Sequence, residues 1–186
     1  MLTRDRIDIF MVGEFDDYQV LQALHRFPLE GRQVDLQFSY SQPYVNVVKE
    51  KIEPRQSSQS ILQLGYQFPY QYGDKDYFAL IVFNAMFGEF AHSVLFTTLR
   101  EKEGLAYSIS SQFDIFTGLL EVYAGIEKSN RNQAMRGISR ELNYIKLGRF
   151  SSSLLNQTKK IIRMNALLSE DHALTLVEQR FNKVIF

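Results

Sequence analysis

The hydrophobic positions switch period along the middle of the chain, and each switch marks an element. Over Ser60 to Phe68, Leu62, Leu64, Tyr66 and Phe68 alternate with Gln63, Gly65 and Gln67, the period-two pattern of a half-buried strand. The run from Phe78 to Met86 is apolar nearly all round, a helix that must be covered on most sides, with Asp74 placed to cap it. After Gly88 a second helix is expected from about Ala91 to Lys102. Alternation returns from Leu105 to Ile115, where Leu105, Tyr107, Ile109, Phe113 and Ile115 oppose Ala106, Ser108, Ser110, Gln112 and Asp114. Thr117-Gly118 supplies a turn, and Leu119 to Ile126 reads as the hairpin partner.

Three helices are expected next. Met135, Ile138, Leu142 and Ile145 repeat at helical spacing from Arg131 to Leu147, before Gly148. Ser151-Ser152-Ser153 opens a helix carrying Leu154, Leu155, Ile161, Ile162 and Leu168, and Glu170 or Asp171 opens one with Leu174, Val177 and Phe181. Near the start, Arg6 to Gly13 reads as a buried strand, and Asp16 or Asp17 caps a helix through Phe27 that Pro28 and Gly31 end. From there to about Gln56 the pattern is weak, a linker with room for one short strand at Tyr44 to Val48. Strands followed by runs of helices give an α+β architecture, an antiparallel or mixed sheet covered on one face by several helices. The chain stops at Phe186 inside an amphipathic stretch, so a fragment is expected.

Composition narrows the function more than the fold. The 186 residues are 45% hydrophobic, enough for a core, and carry 21 basic and 21 acidic side chains. That balance argues against nucleic-acid and anionic-membrane partners. Lys159-Lys160 reads as a solvated helix face. There is no cysteine, hence no disulfide and no thiolate chemistry. No run of about 18 apolar residues exists to span a membrane, and the N-terminus lacks the apolar core of a secretory signal. A cytoplasmic location is the expectation.

Generic catalytic motifs are missing. His25, His92 and His172 stand dozens of residues apart and none begins an H-x-x-E-H motif, so all three are expected to be non-ligands. No Gly-x-Ser-x-Gly and no phosphate-binding glycine loop occurs. Catalytic and metal-binding residues are therefore expected to be none. One segment draws attention: Leu99-Arg100-Glu101-Lys102-Glu103-Gly104-Leu105-Ala106-Tyr107, a charged helix end, a glycine, and a strand with a tyrosine near its start. On the residues alone, Gly104 is a helix cap, Arg100 complements the helix dipole, and Tyr107 shares a strand face with Ile109 and Phe113.

The same segment resembles the second domain of the insulinase, pitrilysin and mitochondrial processing peptidase superfamily of zinc peptidases. The resemblance covers most of the chain: Asp74 to Met86 is similar to the family's apolar helix, and Ser93, Leu95 and Phe96 to its Ser-x-Leu-Phe segment. The Gly118 hairpin, Gly125-Ile126 and the helices after Asn130 follow in order. Two departures stand out: Met86-Phe87-Gly88-Glu89 lacks the usual glycine doublet, and Val94 replaces a basic residue. Relaxed versions of this kind resemble bacterial members that lack zinc ligands and pair with a zinc-bearing homologue.

The resemblance implies three segments: residues 1–30 closing a preceding domain, 31–58 as linker, and 59–186 as a C-terminal peptidase-like domain truncated at its end. It implies that Arg100 and Tyr107 bind substrate, Arg offering N–H donors to carbonyl oxygens and Tyr a hydroxyl to one that gains negative charge. No cofactor is expected in this chain; zinc is expected in a missing N-terminal half or in a homologous partner subunit, with a peptide as substrate. The chain would then be the substrate-binding, non-catalytic half of a two-half endopeptidase. The alternatives are an inactive subunit with a structural or assembly role, and an unrelated small-molecule binder with a closed apolar pocket.

Overall fold

A computed structural model describes residues 7–27, 41–169 and 172–185. The residues fall into two units, 1–39 with 164–186 and 40–163.

In the larger unit, β1 (Ser60–Gln67), β2 (Ser108–Asp114) and β3 (Leu119–Ile126) form an antiparallel sheet in the order β1-β3-β2. The β2–β3 hairpin closes through Gly118, whose N–H donates to the Asp114 carbonyl at 2.9 Å and whose φ of +67° favours glycine. Register pairs Leu62 with Ala124 and Ile109 with Ala124, placing the predicted apolar positions on one face. On that face Leu62, Ile109, Leu120, Val122 and Ala124 share one core with Phe87, Leu95, Leu99, Ile138, Leu142 and Ile145 from the helical segments. The sheet is therefore covered on one face, giving the α+β arrangement that the pattern implied.

The helical layer departs from the expected boundaries. Helix α2 is Tyr77–Asn84 and runs into a wider π-helical turn, Ala85–Glu89. Asp74 does not cap it: its carboxylate accepts the Gln71 N–H at 2.7 Å and shapes the preceding turn. Nor is α2 covered all round, since Phe78 is 74% exposed. The expected helix after Gly88 begins only at Val94, beyond turns at 91–93, and winds as a π-helix over Phe96–Lys102. Beyond the hairpin, α3 (Arg131–Lys146) buries Ala134, Gly137, Ile138, Leu142 and Ile145. Helix α4 (Ser152–Ser169) starts where Ser151 Oγ accepts the Leu154 N–H at 3.1 Å, the capping role expected of the serine run.

Residues 41–56 form no strand, so the short strand expected at Tyr44 to Val48 does not form. Side-chain bonds take the place of a ladder there. Gln42 Nε2 donates to the Tyr70 and Ile115 carbonyls at 2.6 and 2.9 Å, and the Val45 N–H donates to Gln67 Oε1 at 3.0 Å.

In the smaller unit, α1 (Asp17–His25) is capped by Asp16, which accepts N–H groups of Tyr18 and Gln19. Residues 7–12 do not form the buried strand expected of them, and Ile7, Ile9, Met11 and Val12 are exposed. A strand needs a partner edge, and the described residues of this unit supply none. Helix α5 (Ala173–Ile185) sets Phe181 edge-on to Phe10, ring centroids 6.1 Å apart. Arg6, Pro28, Gly31, Glu170 and Asp171 lie outside the described residues.

Gly88 gives the fold a sharp test. A Cβ there would lie 2.5 Å from Ser111 Oγ and 2.7 Å from the Ser111 backbone nitrogen, and that Oγ donates to the buried Asn84 Oδ1 at 2.8 Å. Gly88→Ala is expected to cost about 1–3 kcal/mol of unfolding free energy. Adding Ser111→Ala should not rescue it, because the backbone nitrogen still blocks the methyl. Urea denaturation of both variants checks this.

Candidate functional site

The helix-to-strand corner at 99–108 is built from its backbone outward. The π winding leaves carbonyls to be satisfied at the helix end, and the Glu103 N–H donates to the Thr98 carbonyl at 2.9 Å. Gly104 adopts φ +61°, and the Leu105 N–H then reaches the Leu99 carbonyl at 2.8 Å. That closure is one residue wider than the usual glycine-terminated end of an α-helix, as the wider coil requires. Leu99 is fully buried, and its side chain lies so close to Gly137 of α3 that a Cβ there would sit 3.2 Å from it. Arg140 of α3 adds a clamp, bonding Glu103 at 2.5 Å and Glu141 at 2.8 Å. These two carboxylates raise its pKa further, the Glu141 bond first.

On this frame Arg100 and Tyr107 both reach solvent. The Arg100 side chain is 42% exposed; its guanidinium lies 4.4 Å over the Phe96 ring and 3.8 Å from the Glu101 carboxylate. A stacked guanidinium keeps donors free for an incoming carbonyl. Tyr107 is 50% exposed and lies just ahead of β2, although its N–H already bonds the Gly125 carbonyl at 2.8 Å. Tyr107 shares its strand face with Ile109 and Phe113 but is not buried with them. Its hydroxyl donates to Glu127 Oε1 at 2.6 Å. The phenol has one hydrogen, so toward any further group it presents acceptor lone pairs. Arg100 and Tyr107 thus sit on one corner but engage different partners, Phe96 and Glu101 for one, Glu127 for the other.

Glu127 was missed in the sequence, although the register contained it. Counting back from the Gly118 turn sets the start of β2 against Gly125, two residues before Glu127. His92 is occupied elsewhere: it stacks on Phe90 and its Nε2 lies 2.9 Å from the buried Thr158 Oγ1. Burial lowers its pKa, so the ring is neutral at physiological pH. No group of three His, Cys, Asp or Glu is placed to hold a metal among the described residues.

A concave region lies on the uncovered face of the sheet. Gln63, Ser110, Gln112, Glu121 and Tyr123 line about 240 Å³. Its lining is polar, unlike the closed apolar pocket that a small-molecule binder would need.

A three-stranded antiparallel sheet with helices on one face defines the class as an α+β domain. The family model for the peptidase M16 inactive domain matches residues 1–162, and the chain belongs to that family. It is 38% identical over 178 residues to a probable inactive metalloprotease, YmfF, of Bacillus subtilis (strain 168), covering 95% of this chain and 42% of that protein. An uncharacterized zinc protease of the same organism, YmxG, is 26% identical over 172 residues, 90% of this chain and 41% of that protein. A crystal structure of a conserved protein from Enterococcus faecalis V583 superposes with a TM-score of 0.84 at 38% identity, over 92% of this chain and 41% of that one. The chain thus spans about two fifths of the relatives it matches. Among the described residues no helix is long and apolar enough to cross a membrane.

The Tyr107–Glu127 bond yields a direct prediction. The bond holds the phenol protonated and raises its pKa above the ordinary 10.0, burial and the Glu127 charge adding to it. Its stabilising effect is present below the ordinary phenol pKa and is lost as pH climbs through the raised value. Glu127→Ala should bring the Tyr107 titration back toward the ordinary value. The ¹³Cζ resonance that disappears in Tyr107→Phe reports it; an unmoved midpoint would show that the bond does not form.

Proposed function

We propose that this chain is the peptide-gripping, non-catalytic half of a bacterial two-half zinc peptidase, acting in the cytoplasm. The observation that carries the reading is the corner itself, where a guanidinium and a phenol stay exposed on a backbone clamped by Gly104, Leu99 and Arg140. Membership of the M16 inactive-domain family supports it. Arg100 donates N–H groups to carbonyls of an extended peptide, including one that gains negative charge as it is attacked. Tyr107, its hydrogen held by Glu127, accepts from a peptide N–H. Zinc, which polarises the scissile carbonyl and activates water, belongs to the other half, either upstream in the same polypeptide or in a homologous subunit. Peptide lying along a sheet edge would gain main-chain bonds that tolerate many sequences.

The second reading, an inactive subunit that keeps the fold for assembly, is favoured by likeness to a protein named as a probable inactive metalloprotease. The commitment of the Tyr107 hydrogen to Glu127 points the same way.

Peptide hydrolysis by the full-length protein together with its zinc-bearing half tests the first reading. Arg100→Ala should lower kcat/KM about 10²-fold, the effect of losing one transition-state donor. Tyr107→Phe, which removes an acceptor, should lower it roughly 5-fold, the worth of about one net hydrogen bond. Wild-type rates in both variants would refute the positioning role, and an assembly with no hydrolysis would establish the scaffold.

A further inference from the structure

Tyr107 and Glu127 are joined between two backbones that are each already fixed. The Tyr107 N–H ties its residue to β3 by donating to the Gly125 carbonyl at 2.8 Å. Glu127 follows the buried Ile126 in extended conformation, and its carbonyl accepts the Asn130 N–H at 2.9 Å where a short 3₁₀ turn, Lys128–Asn130, begins. From these anchors the phenol donates to Glu127 Oε1 at 2.6 Å. That length falls in the charge-assisted range for a hydroxyl on a carboxylate, about 2.5–2.7 Å, where a bond is roughly twice as strong as one between neutral groups. The pair is therefore preformed, with its hydrogen committed before any ligand arrives.

We infer that Glu127 is a positioning residue that fixes Tyr107 as a hydrogen-bond acceptor and withholds its hydrogen from the oxyanion of a hydrolytic transition state. The inference rests on the peptide-handling reading and deepens it by assigning the hydrogen-bond polarity of the corner to one side chain. A phenol has a single hydrogen, and the bond to Glu127 uses it. A neutral peptide carbonyl is a weaker acceptor than a carboxylate, so a bound peptide leaves that bond in place. When a carbonyl oxygen gains negative charge under attack by water, it needs donors, and Arg100 supplies them. Tyr107 then offers lone pairs only, and Glu127 adds a like charge to the same corner. Only interactions that strengthen in the transition state raise kcat, and Glu127 keeps the tyrosine from making one. Its effect is to permit gripping while holding turnover down.

Peptide hydrolysis by the full-length protein with its zinc-bearing half tests this in the wild type, Tyr107→Phe, Glu127→Ala and the double variant. Glu127 is exposed, so its truncation leaves the core untouched. Glu127→Ala should raise kcat roughly 10- to 100-fold with KM changed less than about 2-fold, the return of one donor to a charged oxygen in the transition state. Tyr107→Phe, which costs about 5-fold beside Glu127, should remove that whole gain once Glu127 is gone. Glu127→Gln keeps an uncharged acceptor and should gain less. Loss of a negative charge by itself would speed Tyr107→Phe as much as the wild type, so the Tyr107→Phe effect in the two backgrounds isolates the phenol hydrogen. Equal Tyr107→Phe effects with and without Glu127, or a Glu127→Ala rate no higher than wild type, overturn the inference. If Arg100→Ala still lowers the rate in that case, the corner keeps its peptide-gripping role. Hydrolysis absent from the wild type, present in Glu127→Ala and lost again in the double variant upholds it and identifies a scaffold silenced by Glu127. Hydrolysis absent from every variant overturns it together with the peptide-handling reading.

Discussion

The hydrogen bond from the Leu105 N–H to the Leu99 carbonyl is the constraint on which the candidate site depends. It closes a helix wound too widely for an ordinary cap, and a left-handed residue at Gly104 lets the chain turn into the sheet. Everything around it holds the closure in place: Leu99 is buried against Gly137, and Arg140 ties Glu103 back to α3. A corner fixed from behind leaves its outward side chains little backbone freedom. Arg100 and Tyr107 are therefore presented to solvent at low entropic cost to a ligand, which is what preorganisation contributes to binding.

The same architecture divides the sheet into two chemistries. One face is sealed by Phe87, Leu95 and the apolar stripe of α3, with Ser111 admitted because Asn84 accepts its hydroxyl hydrogen. The other face stays wet, and its few charges are negative.

How much of this could be read from the residues depends on how local the cause is. Alternation over 60–68 and 119–126 identified strands to within a residue, because one buried face imposes period two directly. The stripe Ile138, Leu142 and Ile145 identified α3 for the same reason. The π turns escaped notice, since Ala85–Glu89 and Phe96–Lys102 have ordinary helical composition and their winding answers packing against β2 and α3. Asp74 fitted a cap by position, but its carboxylate was captured by the nearer Gln71 N–H. The segment at 7–12 has strand composition, yet strandedness belongs to a pair of segments. Arg100 and Tyr107 were legible through the motif around Gly104; their exposure was not. The Tyr107–Glu127 contact and the Gln112–Glu121 pair, with Gln63 diagonal to it, arise from cross-strand register, which no window along the chain displays.

The central claim is that the corner at 99–107 touches peptide. Photo-crosslinking measures this directly: an unstructured peptide carrying one benzophenone side chain is irradiated with the full-length protein, and the adducts are mapped by mass spectrometry. The account predicts adducts concentrated in residues 96–107 and at Glu127 beside Tyr107, competed away by unlabelled peptide. Competable adducts confined to other segments, with none on the corner, would contradict it.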